Sequence, residues 1–158
     1  MNIFYLDKDP ETCAHMHCDQ HVVKMILEYA QMLSTAHRVC GKQDDVFYKV
    51  AHLNHPSCKW VRAHLNNYLY TRNLFMFLCI EYTMRYDKIH KTQQRLLDAL
   101  YDPPSSIPAG ESVIPQCMPD EFKDADPIKA YRNFYRLDKS RFATWNNVQT
   151  PTFMQEQV

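Results

Sequence analysis

From His17 to Arg38 the polar residues fall on a single line. His17, His21, Lys24, Glu28, Gln31, Thr35 and Arg38 follow one another at alternating steps of four and three, the spacing of neighbours on one helix face. Nearly everything between them is apolar, including Val22, Val23, Met25, Ile26, Leu27, Tyr29, Ala30, Met32, Leu33, Ala36 and Val39. An ordinary surface helix has an apolar stripe and a wide polar face. The reversed proportions predict a helix buried on most sides, whose polar seam faces a cleft or is paired internally.

The remaining pattern predicts more helix. Asn2 to Leu6 is a short apolar lead-in, and Asp9-Pro10 is a helix start with Asp at the cap and Pro in the first turn. Helical character runs on to Cys40, with room for a break near Cys18-Asp19, and Gly41 supplies the stop. After a connection, His55-Pro56 opens a second helix reaching Tyr86, with Trp60, His64, Tyr68, Phe75, Leu78 and Tyr82 along one line. A third, shorter helix covers about Lys88 to Leu100. The stretch 102–127 holds six prolines and reads as a long irregular wrap. Asp126-Pro127 starts a last helix, Ile128 to Leu137, and 151–158 reads as a polar tail. The expectation is an all-α, compact single domain spanning 1–158, with three to four helices.

Composition narrows the classes. With 46% apolar and 13% aromatic residues in 158, the chain has material for one real core. There is no uncharged apolar run of membrane-spanning length and no signal-peptide pattern, so a cytoplasmic protein without membrane contact is expected. Six cysteines without a CxxC pair read as free thiols. Two glycines, Gly41 and Gly110, exclude a glycine-rich phosphate loop.

Eighteen basic residues balance eighteen acidic ones, but unevenly. Lys129 to Asn147 carries five basic residues and one acidic, whereas Asp98 to Asp126 carries seven acidic and one basic. A basic patch can therefore exist on a neutral chain.

Three constellations carry chemistry. His17 and His21, one turn apart with Cys18 nearby, resemble half of a zinc site and leave a metal-dependent hydrolase as one alternative. Glu28, in an apolar wall with Lys24 one turn earlier, can act as a proton carrier or form a simple helix salt bridge. Arg85, Lys88, His90, Lys91 and Arg95, with Arg132, Arg136, Lys139 and Arg141 and the interleaved Tyr131, Tyr135 and Trp145, suit a nucleic-acid surface. A non-catalytic helical nucleic-acid-binding module is the corresponding alternative.

The motif Asp19-Gln20-His21, followed seven residues later by Glu28 on the first long helix, resembles the phage pyrimidine-dimer DNA glycosylase/AP lyase family, often called endonuclease V. His55-Pro56 before an aromatic-rich helix with Asn67-Tyr68, Glu81 and Arg85-Tyr86, and the basic, tyrosine-rich segment from Tyr131 to Trp145, add to the likeness. The resemblance implies a compact helical monomer in a bacterial host cytoplasm, needing no cofactor. Its implied partner is double-stranded DNA with a damaged or flipped base. It also implies Schiff-base chemistry by the N-terminal amine, here that of Met1, which is expected to be retained before Asn2. An α-amino group suits this because its pKa near 8 leaves far more of it unprotonated at neutral pH than a Lys amine at about 10.4. Carried over by position, Glu28 would transfer protons, His21 would sit at the lesion, and Lys24 is the substitute amine. The DNA contacts would come from His17, Arg38, Arg85, Lys88, His90, Lys91, Arg132, Tyr135, Arg136, Lys139, Arg141 and Trp145. The mechanism requires the Met1 amine within contact range of Glu28.

Overall fold

A computed structural model describes residues 1–156. Among them are six α-helices, three short 3-10 turns and no strand. The helices are α1 (Pro10–Met16), α2 (Asp19–Val39), α3 (Pro56–Ala63), α4 (Leu65–Tyr86), α5 (Lys91–Leu96) and α6 (Pro127–Leu137). The fold is all-α, with more helices than the three to four expected, because two long helices are each broken once.

The first break lies at His17-Cys18. Arg85, reaching across from α4 with its side chain 1% exposed, donates to the carbonyls of His15 (3.0 Å) and His17 (2.9 Å). These are carbonyls that the end of α1 leaves without helical partners. The same guanidinium binds Asp19 (3.1 Å) and Glu81 (3.0 Å), while Asp19 N–H donates to the Thr144 carbonyl. A buried arginine thus makes the corner, and α2 restarts from Asp19.

The second break lies at His64, in extended conformation between α3 and α4. The first N–H groups of α4, at Leu65 and Asn66, donate to the carbonyls of Pro108 and Gly110. The Asn67 side chain bonds Trp60 O and Ser112, and Ser112 N–H donates back to Asn67. The proline-rich wrap is therefore the cap of α4. Gly110 needs its left-handed φ of +119° here, and an added Cβ would meet the His64 ring at 3.4 Å.

One hydrophobic core joins α2, α4 and α1 with α3, α6 and the lead-in. Its largest fully buried side chains include four tyrosines, Tyr29, Tyr68, Tyr131 and Tyr135. Every one of their hydroxyls is hydrogen-bonded, as a buried phenol requires. The end of α2 follows the expected stop. Gly41, at φ +96°, lets Gly41 N–H and Lys42 N–H return to the carbonyls of Arg38 and His37.

The tail is less polar than expected. Thr152–Gln155 form a 3-10 turn that buries Phe153; residues 157 and 158 of that tail lie outside the described residues. No helix among the described residues is long and apolar enough to cross a membrane.

Candidate functional site

The lead-in runs alongside α2, tied by Phe4 N–H to the Tyr29 hydroxyl (3.1 Å). That register brings Met1 to the outer half of the α2 seam. The Met1 side chain is 2% exposed, and its α-amino nitrogen lies 3.8 Å from Glu28 Oε2. Lys24 Nζ approaches the other carboxylate oxygen at 3.4 Å. Two amines therefore flank one carboxylate, at opposite oxygens.

These groups open into a cavity of about 510 Å³. The far wall comes from α6 and the turn after it, with Phe134, Lys139, Arg141 and Phe142. The floor is His21, 5% exposed, stacked on Phe4 at 4.2 Å and 16° and meeting the Phe142 ring edge-on at 5.6 Å. Lys139 Nζ sits 4.3 Å over the Phe134 ring and pairs with Asp138, which also attracts Arg141. The cavity lining itself holds four cationic groups (the Met1 amine, Lys24, Lys139 and Arg141) against the single carboxylate of Glu28. Such a cavity attracts anions and holds a primary amine beside a proton acceptor.

The protonation state of His21 follows from its partners. Tyr135 OH accepts from Cys18 N–H (3.4 Å) and lies 2.5 Å from His21 Nδ1. Its proton goes to that nitrogen, since the alternative acceptor is a thiol sulfur 3.9 Å away. The network assigns the N–H of His21 to Nε2. Burial, helped by the nearby His17, Lys139 and Lys24, pushes its pKa down to about 3, so the ring stays neutral at pH 7.

His17 is a core residue. It is fully buried; Nδ1 donates to the Cys13 carbonyl (2.8 Å) and Nε2 accepts from Tyr29 OH (2.9 Å). Desolvation drives its pKa down to about 4. This corrects both expectations for His17. Its nitrogens are spent, so it is neither a metal ligand nor a DNA contact. No group of three or more His, Cys, Asp or Glu residues among the described ones is placed to hold a metal ion.

The expected DNA-contact set divides. Lys139 and Arg141 reach the cavity, and Lys88 and Lys91 are exposed. Buried Arg85 and Tyr135 are corrected by their burial, and the half-buried others already make bonds within the protein. Arg85 is the buried corner of the α1–α2 break. Arg38 donates to the carbonyls of Tyr48 and Phe47, and more weakly to that of Asp44. Arg132 holds Leu6 O and Asp7 and lies over Phe153. Arg136 bonds Asn133 and Glu156, and Arg95 bonds the carbonyls of Val46 and Asp45. Tyr135 is fully buried under His21 and cannot stack on a base; Trp145 donates to the Met16 carbonyl. His90 caps α5 by accepting from Thr92 N–H. Arginine suits these internal clamps because its planar fork serves several carbonyls at once.

Some cavity residues have no signature in the sequence. Phe4, Phe134 and Phe142 come from three separate segments, and only the packing of α6 against the lead-in assembles them. Asn2, at the start of the lead-in, carries no pattern at all, yet its side chain bonds the wrap and α6. His55, which opens α3, has its pKa lowered by burial and then by the Met1 ammonium and His52, while Glu28 opposes them; it belongs to the electrostatic surroundings of the amine.

What the fold and site define is an all-helical domain with a cationic, amine- and carboxylate-bearing cavity. No protein-family model matches the chain, and neither a curated protein nor a solved structure matches it.

Proposed function

We propose that this chain is a DNA glycosylase and abasic-site lyase acting through a Schiff base on a damaged or modified pyrimidine. The observation that carries the reading is a primary amine 3.8 Å from a carboxylate inside an open cavity with a cationic lining. The resemblance in Asp19-Gln20-His21 and Glu28 supports the same chemistry.

In this reading the Met1 nitrogen bonds to the sugar C1′ as the C1′–base bond breaks, and the base leaves with the bonding pair and takes up a proton. The C1′–O4′ bond then opens to give the imine. Glu28 accepts the proton shed by the amine, passes it to O4′ as the ring opens, and, a carboxylate again, removes one from C2′, so that the 3′ phosphate departs by β-elimination. Water finally hydrolyses the imine and releases Met1. Lys139 and Arg141 are placed for phosphates. The stack of Phe4 and His21, with Phe142 at its edge, offers an aromatic surface to an extruded base, which His21 Nε2–H can hydrogen-bond. Lys24, 61% exposed and 3.4 Å from Glu28, is the second amine able to serve.

Borohydride reduction of the protein on abasic and on irradiated DNA tests the reading. The expected result is a covalent adduct mapped to Met1, with Glu28→Gln folding normally, binding DNA and losing about a hundredfold or more in turnover. An adduct at Lys24 would move the nucleophile by one turn. DNA binding without any adduct would make the chain a binding module, and failure of both would overturn the proposal.

A further inference from the structure

Asn2 makes three hydrogen bonds through its side chain, and nothing in the reaction scheme uses it. Its side chain is buried, and it ties three parts of the molecule together. Nδ2 donates to the Cys117 carbonyl at 2.7 Å, in the proline-rich wrap. Oδ1 accepts from Ile3 N–H at 2.9 Å and from the hydroxyl of Tyr131, on α6, at 2.9 Å. The Tyr131 proton is forked between Asn2 and the Pro115 carbonyl, 2.7 Å away, while the same oxygen accepts from Cys117 N–H at 3.3 Å. On the other side of the peptide unit, the Met1 side chain packs against the core.

A chain terminus normally frays unless something ties it down. Here both side chains of the first dipeptide are fastened, one by apolar packing and one by hydrogen bonds, and the amine between them is held at the cavity. We propose that Asn2, gripped by Tyr131 and the Cys117 carbonyl, is a positioning residue that presents the Met1 amine to Glu28 and to a carbonyl-bearing or sugar substrate in the cavity. The inference rests on the Schiff-base reading above. It also assigns a task to the proline-rich wrap, which supplies the Cys117 and Pro115 carbonyls that hold this anchor.

The chemistry can be tested without DNA. Pyridoxal phosphate joins an aldehyde to an aromatic ring and a phosphate, which suits a cationic cavity with aromatic walls. An unprotonated amine adds to its aldehyde carbon, water leaves with the aldehyde oxygen, and cyanoborohydride delivers hydride to the imine carbon. Peptide mass spectrometry on full-length protein, tagged only at its C-terminus, gives the ratio of label on Met1 to label on the lysines, across a pH series.

The expected wild-type result is selective labelling of Met1. Asn2→Leu, which removes both hydrogen-bonding groups at similar size and keeps Met1 in place, and Tyr131→Phe should each lower the ratio of Met1 to Lys24 labelling by about tenfold or more, since a misplacement of about 1 Å can cost a hundredfold. The comparison is made at a temperature where all three proteins are folded. Tyr131→Phe keeps the ring and removes only the hydroxyl, so it decides the matter if Asn2→Leu fails to fold. Unchanged selectivity in a folded variant overturns the positioning role and leaves the Schiff-base reading standing. A wild-type protein whose Met1 is no more reactive than its lysines overturns both.

Discussion

The two ends of α2 carry nearly the same device. At one end His21 stacks on Phe4, with ring centroids 4.2 Å apart, and its Nδ1 meets the hydroxyl of Tyr135. At the other end His37 stacks on Phe47 at 4.4 Å and its Nε2 meets the hydroxyl of Tyr68 at 2.8 Å. The fates diverge one turn further on. Around His37, Arg38 fastens the connection after Gly41 by its carbonyls, and Thr35 Oγ1 accepts from Ala51 N–H, so the seam is covered. Beyond His21, Lys24 and Glu28 have no such loop over them and face the cavity. The tautomers differ too. Tyr68 gives its proton to the Leu100 carbonyl, so it accepts from His37 Nε2–H and leaves His37 Nδ1 buried without a partner among the described residues. His21 instead keeps its N–H on Nε2. A seam that is continuous along the helix becomes structure at one end and accessible chemistry at the other.

What the two ends share gives the largest expected effect. Burial lowers the pKa of His17 and His37 to about 4 and that of His21 to about 3, from 6.5 in an unfolded chain. Folded, all three are neutral; unfolded, they take up protons as pH falls below about 6.5. The unfolded state then binds more protons, so stability is full above that pH and falls toward pH 4. Fully buried His17 alone accounts for on the order of 3 kcal/mol. Melting curves between pH 7 and 4 should show a steep acid loss, and a flat profile would contradict the buried neutral histidines.

The divergence is tested by crossing variants. Glu28→Gln should cut turnover on abasic DNA about a hundredfold or more with little change in melting, whereas Arg38→Ala should do the reverse, costing about 1–2 kcal/mol of stability with turnover per folded molecule intact. A Glu28→Gln protein that melts early but cuts normally would assign both ends of the seam to structure. Next in size, His37→Ala should lose roughly 2–3 kcal/mol through a cavity and a lost hydrogen bond, and its Met1 labelling should be unaltered. His21→Ala should change labelling or base selectivity as well, and equal behaviour of the two would erase the distinction. The smallest effects belong to the rim. Lys139→Ala and Arg141→Ala should each reduce the salt dependence of DNA binding by about one unit per lost phosphate contact, with stability changing by about 0.5 kcal/mol or less. Identical binding at several salt concentrations would remove phosphates from the cavity lining.

Much of the secondary structure was legible because its signals are local. Asp9-Pro10, His55-Pro56 and Asp126-Pro127 each start a helix, with the Asp or His side chain accepting from an N–H two or three residues on. Gly41 ends one. The pairing of Lys24 with Glu28 follows from helical spacing alone. The basic, aromatic segment misled because charge in a sequence does not say what a charge is already bonded to. Arg38, Arg85 and Arg132 look like phosphate ligands and are carbonyl clamps; Tyr135 looks like a stacking platform and is core.

The residue pattern by itself determined the helical class, the cap positions and the membership of the polar line, since each depends on neighbours within a turn. Only the tertiary structure decided where that line is open. The break at His17 exists because an arginine 68 positions away reaches its carbonyl, and Met1 reaches Glu28 because the Asn2 side chain bonds partners 115 and 129 positions along the chain. Contacts over such separations depend on how helices pack and where loops close over them, and no local spacing encodes that.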